Sequence, residues 1–228
     1  MTRDLSPRRQ QLGIFGGAFN PIHLAHLRLA EEAREHCGLD QILFLPTADP
    51  PHKTLPAESP PFIHRLAMVA VAIADNPAFR VSDLEGSLPG KSYSVKVLKR
   101  LHSLYPDCDF FFLIGMDSFR DLATWYDYRR LFALTNLVVT RRPGVERDDL
   151  LALLPVAIRP EFCYDSGGKI LRHSSGNRVI FLEETYLDIS STHIRQRLSG
   201  GRSVRYLLPT PVADYIEQHA LYRGRERL

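Results

Sequence analysis

The chain is short of cysteine and of long apolar runs, and each shortage removes a class of protein. Cys37, Cys108 and Cys163 are odd in number, far apart and in no CxxC pair, so neither a disulfide framework nor a structural zinc site is suggested. A reducing, cytoplasmic setting is the expectation. The apolar stretch at Ala67–Ala74 falls far below the roughly twenty residues a membrane helix needs, so no membrane partner is expected. The opening MTRDLSPRRQQ lacks the apolar centre of a secretion signal. No sign of charge prevails: 29 basic and 26 acidic residues leave +3, too little to demand nucleic acid as a partner. Internal repeats, heptads and low-complexity tracts are also missing.

What is present is an ordinary globular composition, 44% apolar and 24% charged over 228 residues, enough for one domain with a real core. Of the 29 cations only five are Lys. Arg offers a planar fork that matches phosphate, although genome composition moves the same ratio. Short apolar strands alternate with amphipathic helices. Strands are expected at Gln11–Phe15, Gln41–Leu45, Phe79–Ser82, Phe110–Ile114, Asn136–Thr140 and Val179–Leu182. Helices are expected over His23–Cys37 and Phe62–Ala74, and after Ser92 as N-cap, with Val95, Leu98 and Leu101 on one face. A proline-rich loop spans Pro46–Pro61.

The fold class predicted is α/β, a doubly wound and mainly parallel sheet with a small C-terminal helical segment. It makes one domain over residues 1–228, with a disordered arm over 1–10 and helical residues from 191 to 228. Pro155, Pro160, Gly167-Gly168 and Gly176 break up residues 143–178, which are expected to be an irregular insertion. Ligands of such sheets bind outside the carboxyl ends of strands, where strand order reverses.

Two constellations sit at such ends. After the first strand comes Gly16-Gly17-Ala18-Phe19-Asn20-Pro21-Ile22-His23-Leu24-Ala25-His26. It has neither the GxGxxG of a dinucleotide fold nor the GxxxxGK[ST] of a P-loop. Two glycines let backbone approach a ligand, and two histidines three apart share a face of the first helical turn. Ring N–H groups beside a helix N-terminus make an anion site, while the plainer alternative is a tight turn with two surface histidines. A zinc pair lacks a third ligand nearby. The second constellation, Ile189-Ser190-Ser191-Thr192-His193-Ile194-Arg195, opens a short helix over Thr192–Leu198. Its hydroxyls either cap the helix or hold phosphates, with Arg195 one turn in. Two anion sites in one chain fit a triphosphate lying between them.

GGAFNPIHLAH resembles the G-x-F-D-P-x-H-x-G-H signature of the nucleotidyltransferases, and ISSTHIR resembles their second signature. Further stretches resemble bacterial nicotinate-nucleotide adenylyltransferases: Pro50-Pro51-His52-Lys53, Lys91-Ser92-Tyr93-Ser94-Val95, Ile114-Gly115-Met116-Asp117-Ser118, Thr124-Trp125-Tyr126 and Arg141-Arg142-Pro143-Gly144. The tail Leu208-Pro209…Pro211-Val212…Tyr215-Ile216…Leu221-Tyr222 is similar too. The resemblance runs over about residues 11–223 and fades across 143–178. It departs at Asn20, where the family has Asp, and at Ala25, where it has Gly.

The resemblance implies transfer of AMP from ATP to nicotinate mononucleotide in NAD biosynthesis, giving deamido-NAD and pyrophosphate without a covalent intermediate. It assigns catalysis to His23, His26 and Arg195. ATP would be bound by Gly16, Gly17, Ala18, Phe19, His23, His26, Gly115, Asp117, Ile189, Ser191, Thr192 and Arg195. Nicotinate mononucleotide would be bound by His52, Lys53, Tyr93, Ser94, Trp125, Tyr126 and Arg141. Mg²⁺ would ride mainly on the ATP phosphates, with no protein metal ligand. Plainer roles stand beside several of these: core packing for Trp125, helix capping for Asp117, a surface carboxylate partner for Arg141, an exposed loop for His52 and Lys53. A sister adenylyltransferase or a non-catalytic nucleotide-binding regulator is the alternative function. Whether the protein is a homo-oligomer is left open.

Overall fold

Continuous burial along the central strands builds the sheet. In the computed structural model, which describes residues 8–51, 55–141, 149–168, 170–183 and 185–223, the strands are β1 (Gln10–Gly17), β2 (Gln41–Pro46), β3 (Phe79–Val81), β4 (Cys108–Gly115), β5 (Asn136–Arg141), β6 (Phe162–Tyr164), β7 (Ile170–His173) and β8 (Arg178–Glu183). They form one sheet in the order β3-β2-β1-β4-β5-β8-β7-β6. From β3 to β8 every pairing is parallel, and β7 and β6 add antiparallel to the far edge. Successive residues of a strand face opposite sides. Thus Phe110, Phe112 and Ile114 of β4 enter one core, while Phe111 and Leu113 enter the other. A parallel sheet buried on both faces needs this run of apolar residues.

Helices cover both faces. They are α1 (Leu24–Cys37), α2 (Phe62–Ala72), α3 (Leu84–Ser87), α4 (Ser94–Leu104), α5 (Met116–Arg120), α6 (Leu131–Leu134), α7 (Ser191–Ser199) and α8 (Thr210–Gln218). Ala30 and Ala33 of α1, Met68 and Val69 of α2, Ile194 of α7, and Val212 and Ile216 of α8 fill the core on one side. Val95, Leu98 and Leu101 of α4, with Leu131 and Phe132 of α6, fill the other. The chain lays β2 and β3 on one side of β1, then returns to lay β4 and β5 on its other side. Strand order therefore reverses between β1 and β4, and the crevice lies at their carboxyl ends.

Three local expectations differ from the structure. Arg9 and Gln10, assigned to a disordered arm, are anchored: Arg9 donates to Asp109 Oδ1 at 2.7 Å and to Cys108 O at 2.8 Å, and Gln10 starts β1. The stretch 143–178, expected to be irregular, contains β6 and β7 among its described residues. Each is only three or four residues long, too short for alternation to show between glycines and prolines. Yet Phe162 and Leu171 bury themselves in the core, and the Phe162 ring meets Phe132 edge-on at 5.0 Å. The cap of α4 is Tyr93 by its extended backbone, rather than Ser92. Ser92 instead pairs with Asp49, its amide donating to Asp49 O at 3.0 Å and its Oγ accepting from the Asp49 amide at 3.4 Å.

Candidate active site

The loop from β1 to α1 is held by its carbonyl groups. Gly17 O accepts from the Thr47 amide at 2.8 Å, and Ala18 O from Arg65 Nη1 at 2.7 Å. Asn20 O accepts from Arg195 Nη1 and Pro21 O from Ser191 Oγ, each at 2.9 Å. Four negative dipole ends are thus turned onto three parts of the chain, the residue after β2, α2 and α7. Among the described residues the amides of Phe19 and Asn20 meet no protein acceptor. Phe19 takes a positive φ of 44° and is 2% exposed, its ring edge-on to Phe15 at 5.5 Å and to His26 at 5.2 Å. A bulky residue keeps such a backbone only where surrounding contacts over-determine it. The Asn20–Pro21 peptide bond is cis.

His23 caps α1 and His26 sits in its first turn. Their rings stack, with centroids 3.6 Å apart and planes 20° from parallel. The His23 amide donates to His26 Nδ1 at 3.2 Å. An amide only donates, so Nδ1 of His26 carries no proton and the ring N–H of the neutral form is on Nε2. Burial holds His23 down to about 4, and His26 is pushed well below its ordinary value by burial and by repulsion from His23. Both rings are neutral at pH 7, donors without a charge of their own.

The second motif reaches the first through side chains. Ser190 caps α7, its Oγ accepting from the His193 amide at 3.2 Å. Arg195 spans the gap, with Nη2 donating to Thr192 Oγ1 at 3.2 Å while Nη1 holds Asn20 O. Thr192 is exposed and Ile189 half-buried beside the core. Asn20, with its neutral amide, is tied on both sides: Nδ2 donates to Ser59 Oγ and Oδ1 accepts from Tyr222 OH, both at 2.8 Å. Ala25 is the second residue of α1, where the helical backbone does not require glycine.

Across the crevice, Gly115 ends β4 with open space where a Cβ would point, and the exposed Asp117 lies in the first turn of α5. The start of α4 joins this edge through the Ser92–Asp49 pairing, and Thr47 joins it to Gly17. The Ser94 amide has no acceptor among the described residues. Tyr93 and Tyr126 rings lie 4.7 Å apart, and Trp125 is half-buried, edge-on to Phe112 of β4 at 6.4 Å. Arg141 departs from this convergence: Nη2 meets Glu183 Oε1, its register partner on β8. His52 and Lys53 lie outside the described residues.

Arg65 and Glu85 went unremarked in the sequence. Arg65 is 1% exposed inside α2, and Glu85 is 6% exposed in α3, its carboxyl pushed up to about 7 by burial against bonds from Ser92 and the Ala48 amide. A cation at a core position of an apolar helix was the signal available.

Amides, neutral ring N–H groups and a capped helix start at the switch point of a parallel sheet define a nucleotide-binding α/β protein. The cytidylyltransferase-like family model matches residues 14–197. A protein of Syntrophotalea carbinolica named "Probable nicotinate-nucleotide adenylyltransferase" is 62% identical over 95% of this chain and 99% of its own length. One of the same name from Geobacter sulfurreducens is 54% identical over 92% and 97% respectively. The chain belongs to the cytidylyltransferase-like family and, within it, to the nicotinate-nucleotide adenylyltransferases. The Plasmodium falciparum nicotinic acid mononucleotide adenylyltransferase, solved with NaAD, shares the fold at TM-score 0.70 and 20% identity, covering 93% of this chain and 97% of that one. The same enzyme solved with APC superposes at TM-score 0.69 with 19% identity, over the same shares of the two chains.

Proposed function

We propose that the crevice joins ATP to nicotinate mononucleotide, forming deamido-NAD and releasing pyrophosphate. The observation that carries this reading is the polarity of the β1–α1 loop. Its carbonyls are pinned away, so amides and the Nε2–H of His26 remain for an anion. A phosphate oxygen of the mononucleotide attacks the α-phosphorus, the bond to the bridging oxygen breaks, and pyrophosphate leaves with the electron pair. A phosphate monoester is already ionised at neutral pH, so the step needs no general base. Catalysis is alignment and charge stabilisation. Neutral His23 and His26 fit a donor role, and each such donor is worth roughly 3–4 kcal/mol in the transition state.

Gly16, Gly17, Ala18 and Phe19 bring the backbone to the triphosphate, and Gly115, Asp117 and Ile189 border the nucleoside. Ser191, Thr192 and Arg195 receive the leaving pyrophosphate. A Mg²⁺ ion would be carried mainly by the triphosphate itself. Such an ion neutralises charge spread over the phosphate oxygens. The nicotinate carboxylate is assigned to the amides at the start of α4, with Tyr93, Ser94, Trp125 and Tyr126 around the ring. His52 and Lys53 complete the mononucleotide side of the reading.

The test is pyrophosphate release from ATP and Mg²⁺ with the nicotinate and nicotinamide mononucleotides compared side by side. A site of carboxylate donors should favour the acid by about a hundredfold or more. Equal rates would overturn the α4 assignment and point to a sister enzyme. No release with either would favour a nucleotide-binding regulator.

A further inference from the structure

Arg65 stands where α2 should be apolar. The buried residues of that helix are Arg65, Met68, Val69 and Ala72, the i, i+3, i+4, i+7 stripe that faces a core. A guanidinium there is costly unless its hydrogens are bonded. Among the described residues it forms no salt bridge. A single nitrogen, Nη1, donates to Ala18 O and to Thr47 O, both at 2.7 Å. Those carbonyls lie one residue past two adjacent parallel strands, β1 and β2, and like dipoles so placed repel unless a cation joins them.

We propose that Arg65 is the positioning residue of the anion loop: it fastens Ala18 to the end of β2 and thereby aims the Phe19 amide into the crevice. The Ala18–Phe19 peptide is planar and trans, so its C=O and N–H point in opposite directions. Holding Ala18 O on Arg65 turns the Phe19 N–H the opposite way, away from α2. The same contact sustains the positive φ of Phe19. Glu85 is the acidic group that acts on Arg65, and burial leaves its carboxyl largely protonated below about 7, so it offsets the cation only in part. A buried charge that is offset only in part therefore stands behind the loop that faces the triphosphate. This inference rests on the proposed function, which makes that loop the phosphate site.

The experiment compares Arg65→Lys and Arg65→Met with the unaltered protein. It measures Kd for Mg²⁺–ATP by calorimetry, kcat and KM for each substrate, Tm, and amide exchange at Phe19 and Thr47. Arg65→Met should weaken ATP binding about tenfold or more, with Arg65→Lys between, because the charge survives while the shorter side chain cannot bring its nitrogen fully to the place of Nη1 between the two carbonyls. Exchange at Thr47 should quicken in both variants, and strands β5 and β8 should keep their protection. A purely structural role would lower Tm while leaving ATP affinity and local exchange of the folded protein unchanged; that result overturns the proposal. Should Arg65→Met fail to fold, Arg65→Lys decides alone, and unaltered ATP affinity, kcat and Thr47 exchange in it would be fatal. Failure of the unaltered protein to bind ATP would defeat the phosphate-site reading as well, which separates the two.

Discussion

At the scale of the residue, His26 shows how one hydrogen bond selects a chemical role. The backbone amide of His23 occupies Nδ1, burial and the neighbouring imidazole keep the ring uncharged, and Nε2–H is the group left to act. A neutral donor stabilises charge developing on a phosphate oxygen without transferring a proton. His26→Ala should therefore lower the rate by about a hundredfold or more while the protein stays folded. Steady-state kinetics beside a melting curve checks this, and a near-normal rate would remove His26 from catalysis. The HxxH spacing was legible as a candidate from the sequence. The tautomer was not, because it depends on where a backbone amide points.

At the scale of the element, the C-terminal segment after α8 closes on the first loop. Tyr222 OH donates to Asn20 Oδ1 across 202 residues of sequence, and the Tyr222 hydroxyl is held protonated far above neutrality by burial. Asn20 is 4% exposed, so losing this donor leaves a buried acceptor unpaired. Tyr222→Phe should cost about 1–3 kcal/mol in denaturant unfolding, an amount large for the removal of one oxygen. An unchanged midpoint would mean that water replaces the hydroxyl there. Elements were read from the sequence with uneven success for a plain reason. Central strands such as β4, FFFLI, announce themselves by continuous apolar character, and α1 and α4 by their stripes. The β6–β7 hairpin is too short to carry a period, and its strands form because Phe162 and Leu171 find a core built by distant residues.

At the scale of the whole molecule, two buried groups set opposing pH dependences. His23 titrates in the folded protein near 4 instead of 6.5, so its contribution is complete above 6.5 and is lost as pH falls toward 4. Glu85 has its pKa raised from 4.5 to about 7, so its contribution is complete below 4.5 and is lost as pH rises through 7. Each shift corresponds to roughly 3 kcal/mol at full extent. Glu85→Gln should accordingly be more stable than the parent at pH 8 by about 2–3 kcal/mol and no more stable at pH 4.5. Urea unfolding at the two pH values reads this directly, and a constant difference between them would contradict the assignment.

The sequence by itself determined the alternation of strands and helices, the α/β class, and the two motifs at strand ends, because all three are periodic or contiguous along the chain. The resemblance of those motifs to the nucleotidyltransferase signatures also suggested the reaction. Only the tertiary structure decided how the motifs meet. Ser191 on Pro21, Arg195 on Asn20, Tyr222 on Asn20 and Arg65 on Ala18 and Thr47 are contacts between segments far apart in sequence. It likewise decided that Arg141 faces Glu183 and that the far edge of the sheet is antiparallel. Such pairings depend on register and on which side chain lacks a partner once the core has closed, and neither quantity is local.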